Sequence, residues 1–163
     1  MMNNYYLRRL RYAMDFDDKT MLSIFRKANF KLTPTELKHY LLKEDDENFV
    51  LLPDYILIIF LDGFIQFKRG KREGAVDLTQ AEQVSLAKSV KLTNNIILNK
   101  TKIALALQSE GLIELLALAD FRISKGELSA FFRKPTHRNY RECGNQLLRN
   151  FLTGITNKYK VKE

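Results

Sequence analysis

Cys143 and His137 are the residues of this chain best suited to covalent chemistry. They are six positions apart, and a thiolate close to an imidazole, to Arg141 and to a helix start would be activated. No orienting acid or oxyanion hole accompanies them in the sequence. Two His and one Cys are also too few for a transition-metal cluster. We therefore predict no catalytic residue, no metal, no cofactor and no enzymatic activity.

Two charged segments have the composition of ion-binding loops without their order of residues. Residues 70–74 contain Gly, Lys and Arg but lack the G-x-x-x-x-G-K-[ST] order and the preceding strand of a phosphate-binding loop. Residues 44–47 are acidic but lack the alternating oxygen ligands, central Gly and terminal Glu of a calcium loop. We expect a weak anion site at most in the first segment and a solvated loop in the second.

Positive charge is concentrated in the second half of the chain. The net charge is +8, from 27 Lys and Arg against 19 Asp and Glu. Residues 1–68 hold ten basic and ten acidic residues, residues 69–93 hold five and three, and residues 94–163 hold twelve and six. The contrast is sharpest between residues 43–49, here called the acidic loop, and residues 134–141, here called the basic loop.

The basic loop suggests binding to nucleic-acid phosphates. Tyr140, expected to be exposed, would offer a face on which bases stack. Lys158, Lys160 and Lys162 would add charge from the chain end. A solvated positive face is the plain alternative, because basic patches are common and no recognised nucleic-acid-binding signature is present. The candidate nucleic-acid-binding residues are Arg133, Lys134, Arg138, Tyr140, Arg141 and Arg149.

The two loops also suggest a second interpretation, in which their opposite charges pair within the molecule or between subunits. The protein would then be an interaction module, with a protein partner or a second copy of itself. The candidate interaction residues are Glu44, Asp45, Asp46 and Glu47.

An internal repeat determines how these residues are positioned. Residues 3–68 align with residues 94–159 at a constant offset of 91, and 14 of the 66 pairs are identical. Most substitutions keep apolar character, as expected at duplicated core positions. Gly63 and Gly154 are equivalent, which indicates either a close helix contact or a bend.

Each repeat is predicted to contain four helices. The first and second have apolar residues at helical spacing, with Asp17 or Asp18 and Ser109 available as N-caps. Thr33 and Ser124 begin equivalent capping boxes that start the third helix. The segment 55–61 alone would fit a buried strand, but its copy at 146–152 has a helical stripe, so the fourth element is predicted to be a helix and to be more buried in the first repeat.

The predicted fold is all-α, with two tandem four-helix repeats related by pseudo-two-fold symmetry. The first repeat is assigned to residues 1–68, a basic connector to 69–93 and the second repeat with a basic tail to 94–163. A capping box at Thr79 predicts a short helix in the connector, through about Lys88. One repeat is too small to close a good core, so the two should pack together.

A cytoplasmic protein is expected. The single Cys143 favours a reducing compartment. The first 15 residues lack the unbroken apolar stretch of a secretory signal. The longest apolar run, residues 55–61, is far shorter than the roughly 20 residues that cross a membrane.

Four sets of residues carry a family resemblance: Asn3-Asn4 with residues 7–13, residues 43–46 with Phe49, residues 61–63 with 68–71, and residues 140–146 with 148–152. These motifs, which come from both repeats, resemble the YehS-like family of bacterial proteins. The resemblance spans nearly the whole chain, and its motifs appear in order. It implies an all-α cytosolic bacterial protein built from a duplicated helical repeat, and it brings no known activity or catalytic residues.

Overall fold

The computed structural model describes residues 1–160 and contains helices and turns without strands over that range. The all-α prediction is confirmed. The described helices are α1 (Asn3–Met14), α2 (Asp18–Lys27), α3 (Pro34–Leu41), α4 (Asp54–Arg69), α5 (Gln80–Lys88), α6 (Asn94–Ala104), α7 (Ser109–Ala117), α8 (Lys125–Ser129, continued by a 3-10 turn, Ala130–Phe132) and α9 (Asn145–Tyr159).

Helices α1 to α4 of the first repeat correspond to α6 to α9 of the second, and α5 lies in the connector. Both halves of the predicted capping boxes form at Thr33, Thr79 and Ser124. Asp17 caps α2 by accepting a hydrogen bond from the Thr20 amide. The expectation for α7 was wrong, because Ser109 is its first helical residue and no side chain caps it.

The two repeats pack together into one unit and do not form separate domains. Helix α1 packs on α9 and α6 packs on α4, while within the repeats α2 packs on α4 and α7 on α9. This reciprocal arrangement produces one continuous core and the predicted pseudo-two-fold relation. The Tyr6 hydroxyl, fully buried, contacts Thr101 Oγ1 at 2.5 Å across the junction of α1 and α6.

The equivalent glycines allow close approach of helices. A Cβ atom on Gly63 would overlap the carbonyl oxygen of Ile24 in α2. A Cβ atom on Gly154 would overlap the carbonyl oxygen of Leu115 in α7, which is the equivalent position. Both glycines therefore serve close helix contact, and the alternative of a bend is not needed.

Helix α4 is more buried than α9, as predicted. Ile58 and Ile59 are 3% and 0% exposed, whereas Arg149, the counterpart of Ile58, is exposed and Asn150, the counterpart of Ile59, is half-buried. The physical reason is α5, which packs on α4. The ammonium group of Lys88 in α5 lies 4.7 Å from the ring centre of Tyr55 in α4.

Within residues 1–160, no helix is both long and apolar enough to span a bilayer.

Candidate functional site

Buried asparagines hold the acidic and basic loops in place. Asn4 Nδ2 donates to the carbonyls of Tyr40 and Val50 at 3.0 and 2.8 Å, and Asn4 Oδ1 accepts from the Leu52 amide at 2.9 Å. These bonds join the end of α3 to the segment before α4. The helix start of α1 thereby fixes both ends of the acidic loop.

Asn95 makes the same three bonds in the second repeat. Its Nδ2 donates to the carbonyls of Phe131 and Arg141 at 3.0 and 2.8 Å, and its Oδ1 accepts from the Cys143 amide at 2.8 Å. The neighbouring Asn94 donates to the Cys143 carbonyl at 3.0 Å and to Asn145 Oδ1 at 2.8 Å. The identity of both Asn pairs between repeats thus has a structural reason, because each closes a loop whose backbone lacks helical partners.

The acidic and basic loops have equivalent backbone hydrogen bonds and differ in charge. The Asp46 amide donates to the Lys43 carbonyl at 3.0 Å, and at the equivalent place the His137 amide donates to the Lys134 carbonyl at 2.9 Å. Asp46 Oδ1 accepts from the Asn48 amide, and His137 Nδ1 accepts from the Asn139 amide. The two repeats therefore present opposite charges on loops with the same hydrogen-bonded backbone.

Three of the predicted phosphate-binding cations extend from the basic loop into solvent. Lys134, Arg138 and Arg141 are all exposed. The guanidinium carbon of Arg141 lies 5.7 Å from the ring centre of Phe131, which restricts its position. The Arg141 amide also donates to the Ala130 carbonyl at 3.1 Å.

Arg133 has a different environment from these three. It is half-buried, and its guanidinium donates to the Asn139 carbonyl at 3.0 Å and to Ser129 Oγ at 3.4 Å. It therefore braces the basic loop from inside as well as adding charge.

Arg149 and the chain end are not part of the basic loop. Arg149 is an exposed residue of α9. Lys160 pairs with Asp15 at 3.0 Å and lies 4.3 Å from the ring centre of Tyr12, so it packs the chain end onto α1. Lys162 lies outside the described residues.

A surface groove of about 490 Å³ opens beside the basic loop, here called the second-repeat groove. It separates α6 from the end of α8 and combines aromatic, aliphatic and charged side chains. Sequence reasoning identified Arg133 and Tyr140 in it and missed the others. The lining residues are Lys91, Thr93, Asn95, Ile96, Asn99, Phe131, Phe132, Arg133, Pro135, Tyr140 and Glu142.

Tyr140 lies in this groove instead of on the open surface. It is half-buried, so the expectation of an exposed residue was wrong. The loss of hydration raises the pKa of its hydroxyl, with a smaller contribution from the carboxylate of Glu142. The ring is therefore held at the wall of the groove, beside Arg133 and Glu142.

The two repeats differ at a residue that crosses this region. In the first repeat, Arg8 of α1 reaches across and donates to the Leu42 carbonyl at 3.1 Å. The equivalents of these residues are Asn99 and Arg133, which lie on the two sides of the groove. Asparagine is too short to make the same crossing. The aligned pair Arg8/Asn99 was the sequence signal that could have revealed the groove.

The family of the chain follows from its sequence. A family model described as "Protein of unknown function (DUF1456)" matches residues 3–70 and matches again over residues 94–160. The chain belongs to this family. It is also similar to "Uncharacterized protein YehS" of Escherichia coli (strain K12), at 36% identity over 163 residues that cover 100% of this chain and 99% of that protein. No solved structure matches it.

These comparisons confirm the resemblance to YehS-like proteins and its duplicated character. The two matches of the DUF1456 family fall on the two helical repeats. They assign no activity.

The acidic loop is exposed throughout residues 44–47. The ion pairs within residues 1–160 join other side chains, and none connects the acidic loop to the basic loop. Pairing of the two loops inside one molecule therefore has no support in this part of the chain.

Cys143 has the environment of a structural residue. Its side chain is 5% exposed, and burial raises the pKa of its thiol to about 12, which is opposite to the shift that activates a nucleophile. Over the described range, 1–160, no three His, Cys, Asp or Glu residues are grouped so that they would hold a metal ion.

Proposed function

We propose that this protein is a non-enzymatic binding module that contacts nucleic acid through its second repeat. The observation that carries the proposal is the fixed basic loop. It presents Lys134, Arg138 and Arg141 from a backbone that the buried Asn95 holds at both ends. Cations on a fixed backbone lose less conformational entropy on binding than cations on a flexible segment.

The mechanism is neutralisation of phosphates with little reading of base sequence. Arginine binds phosphate through paired N–H groups, and lysine binds it as a point charge. Each neutralised phosphate releases condensed counterions. Three contacts would make log affinity fall against log salt with a slope of about −2 on single strands and about −3 on duplex DNA.

The test is fluorescence anisotropy of labelled mixed-sequence RNA and duplex DNA, titrated with protein at several salt concentrations. The double variant Arg138→Glu/Arg141→Glu should weaken binding to all sequences and reduce the salt slope. The matched control is Lys19→Glu/Lys68→Glu, which changes the net charge equally at exposed residues of α2 and α4. Equal losses in both variants, or no wild-type binding at low salt, would refute the proposal.

A second candidate function is self-assembly through the charged loops. The supporting observation is that the acidic and basic loops have the same hydrogen-bonded backbone and opposite charge, so each molecule offers complementary surfaces to another copy. The variant Asp45→Lys/Asp46→Lys should then convert a dimer to a monomer in light scattering while nucleic-acid binding stays intact. A wild-type monomer at high protein concentration would exclude this candidate.

The proposed place of action is the cytoplasm. Cys143 is free and buried, and a lone buried thiol fits a reducing compartment.

A further inference from the structure

We infer that the second-repeat groove receives an unstacked nucleobase, so that the protein prefers single-stranded nucleic acid to duplex. This inference rests on the proposed function and adds that the site prefers single-stranded nucleic acid. It follows from the lining of the groove, from the residue that opens it and from the position of the nearby cations.

The lining of the groove suits a flat, partly polar ring. Tyr140 and Phe132 contribute aromatic side chains, and Ile96 and Pro135 contribute aliphatic ones. Bases stack on aromatic side chains whatever their sequence, because every base has a π-face. The volume of about 490 Å³ lies within the range usual for small-molecule sites.

The groove and the basic loop favour different parts of a nucleotide. The groove is lined by the carboxylate of Glu142 and by the cations Lys91 and Arg133, so it is its aromatic walls, and not its net charge, that favour a base there. The exposed cations Lys134, Arg138 and Arg141 lie on the adjacent basic loop. A nucleotide chain is therefore expected to place its phosphates along the loop and a neutral base in the groove, where Glu142 accepts from an exocyclic amino group.

This arrangement excludes an intact duplex from the groove. The bases of a duplex are stacked inside it and present only their edges, whereas a single strand can turn a base outward. Duplex binding would then use the phosphate contacts alone, without the contribution of stacking.

Asn99→Arg provides the sharpest test, because it restores the crossing residue that Arg8 supplies in the first repeat. The substitution adds a positive charge, so electrostatics alone predicts tighter binding to every nucleic acid. If the groove receives a base, single-strand affinity should fall by about tenfold, the loss of one stacked base. Duplex affinity should stay unchanged or increase.

The affinities would be measured on a mixed-sequence 12-nucleotide single strand and its duplex, with native folding checked by circular dichroism. Tyr140→Ala should reduce single-strand affinity and Tyr140→Phe should retain it. Phe49→Ala, the equivalent change in the first repeat, should have no effect on single-strand preference. As a direct readout, a strand with 5-bromouracil at one position should photocrosslink to Tyr140 in the wild type and not in Asn99→Arg.

The outcomes separate this inference from the proposed function. If Asn99→Arg raises single-strand and duplex affinity alike, the groove does not receive a base, while phosphate binding at the loop stands. If Arg138→Glu/Arg141→Glu abolishes binding and the wild type prefers neither form, the proposed function stands and the inference is wrong. If the wild type binds neither form at low salt, both are wrong.

Discussion

Replacing Asn4 and Asn95 by alanine tests whether the paired asparagines hold the loops, and the two changes should differ in cost. Asn95 makes three hydrogen bonds of 2.8 to 3.0 Å. At about 1 kcal/mol net for each, Asn95→Ala should lower the free energy of unfolding by about 3 kcal/mol. Asn95 is 8% exposed and lines the groove, so water can reach the polar groups that lose their partner when Asn95 is replaced.

Asn4 makes the equivalent bonds at 2.8 to 3.0 Å but is fully buried. Its removal leaves the Tyr40 carbonyl and the Leu52 amide without a partner in the buried interior, while the third group, the carbonyl of Val50, belongs to an exposed residue. The desolvation penalty then adds to the lost bonds, and we expect Asn4→Ala to cost about 5 kcal/mol. That is a large part of the roughly 5–15 kcal/mol that stabilises a typical domain.

The assay is urea unfolding at pH 7 followed by circular dichroism at 222 nm. Asn157→Ala is the control, because Asn157 is exposed and donates a single bond to the Leu118 carbonyl. It should cost at most about 1 kcal/mol. Costs below about 1 kcal/mol for both buried substitutions, or equal costs for Asn95→Ala and Asn4→Ala, would contradict this prediction.

Three further predictions concern packing, titration and the junction of the repeats. Gly154→Ala should destabilise by about 2 kcal/mol, since its Cβ forces α7 and α9 apart, whereas Gly126→Ala, with open space around it, should stabilise by about 0.5 kcal/mol in the same urea assay. Burial raises the pKa of the Cys143 thiol from 9.0 to about 12. The folded state therefore keeps its proton between about pH 9 and pH 12 while the unfolded state loses it, so the free energy of unfolding falls as pH rises through this window. The fall should be smaller in Cys143→Leu. Tyr6→Phe removes a buried hydroxyl that contacts Thr101 and should cost about 1 kcal/mol by thermal or urea unfolding; no change would show that the bond contributes nothing.

Much of the fold could be predicted because the sequence of each helical repeat occurs twice in the chain. The segment 55–61 is ambiguous alone, and the copy at 146–152 resolves it as a helix. Capping boxes at Thr33, Thr79 and Ser124 are local signals, and all of them form. Local structure of this kind depends on residues a few positions apart, and these are visible in a linear sequence.

The site was harder to predict because it depends on residues distant in the chain. Arg138 and Arg141 are exposed as expected, but Tyr140 is half-buried in a groove whose other side belongs to α6. Asn99 and Phe132 had no local feature that marked them as site residues. Their role depends on the approach of α6 to the end of α8.

The helices, the repeat, the asymmetry of charge and the family of this protein can be recognised from the chain alone, because each follows from neighbouring residues or from direct alignment. Three features are visible only in the folded molecule: α1 packs on α9 and α6 on α4, the asparagine pairs close the loops, and Asn99 lines a groove at the position where Arg8 crosses in the first repeat. The physical reason is that burial, hydrogen bonding between distant segments and the space between helices are properties of packed surfaces. A linear pattern contains the residues that form these surfaces but not their positions relative to one another.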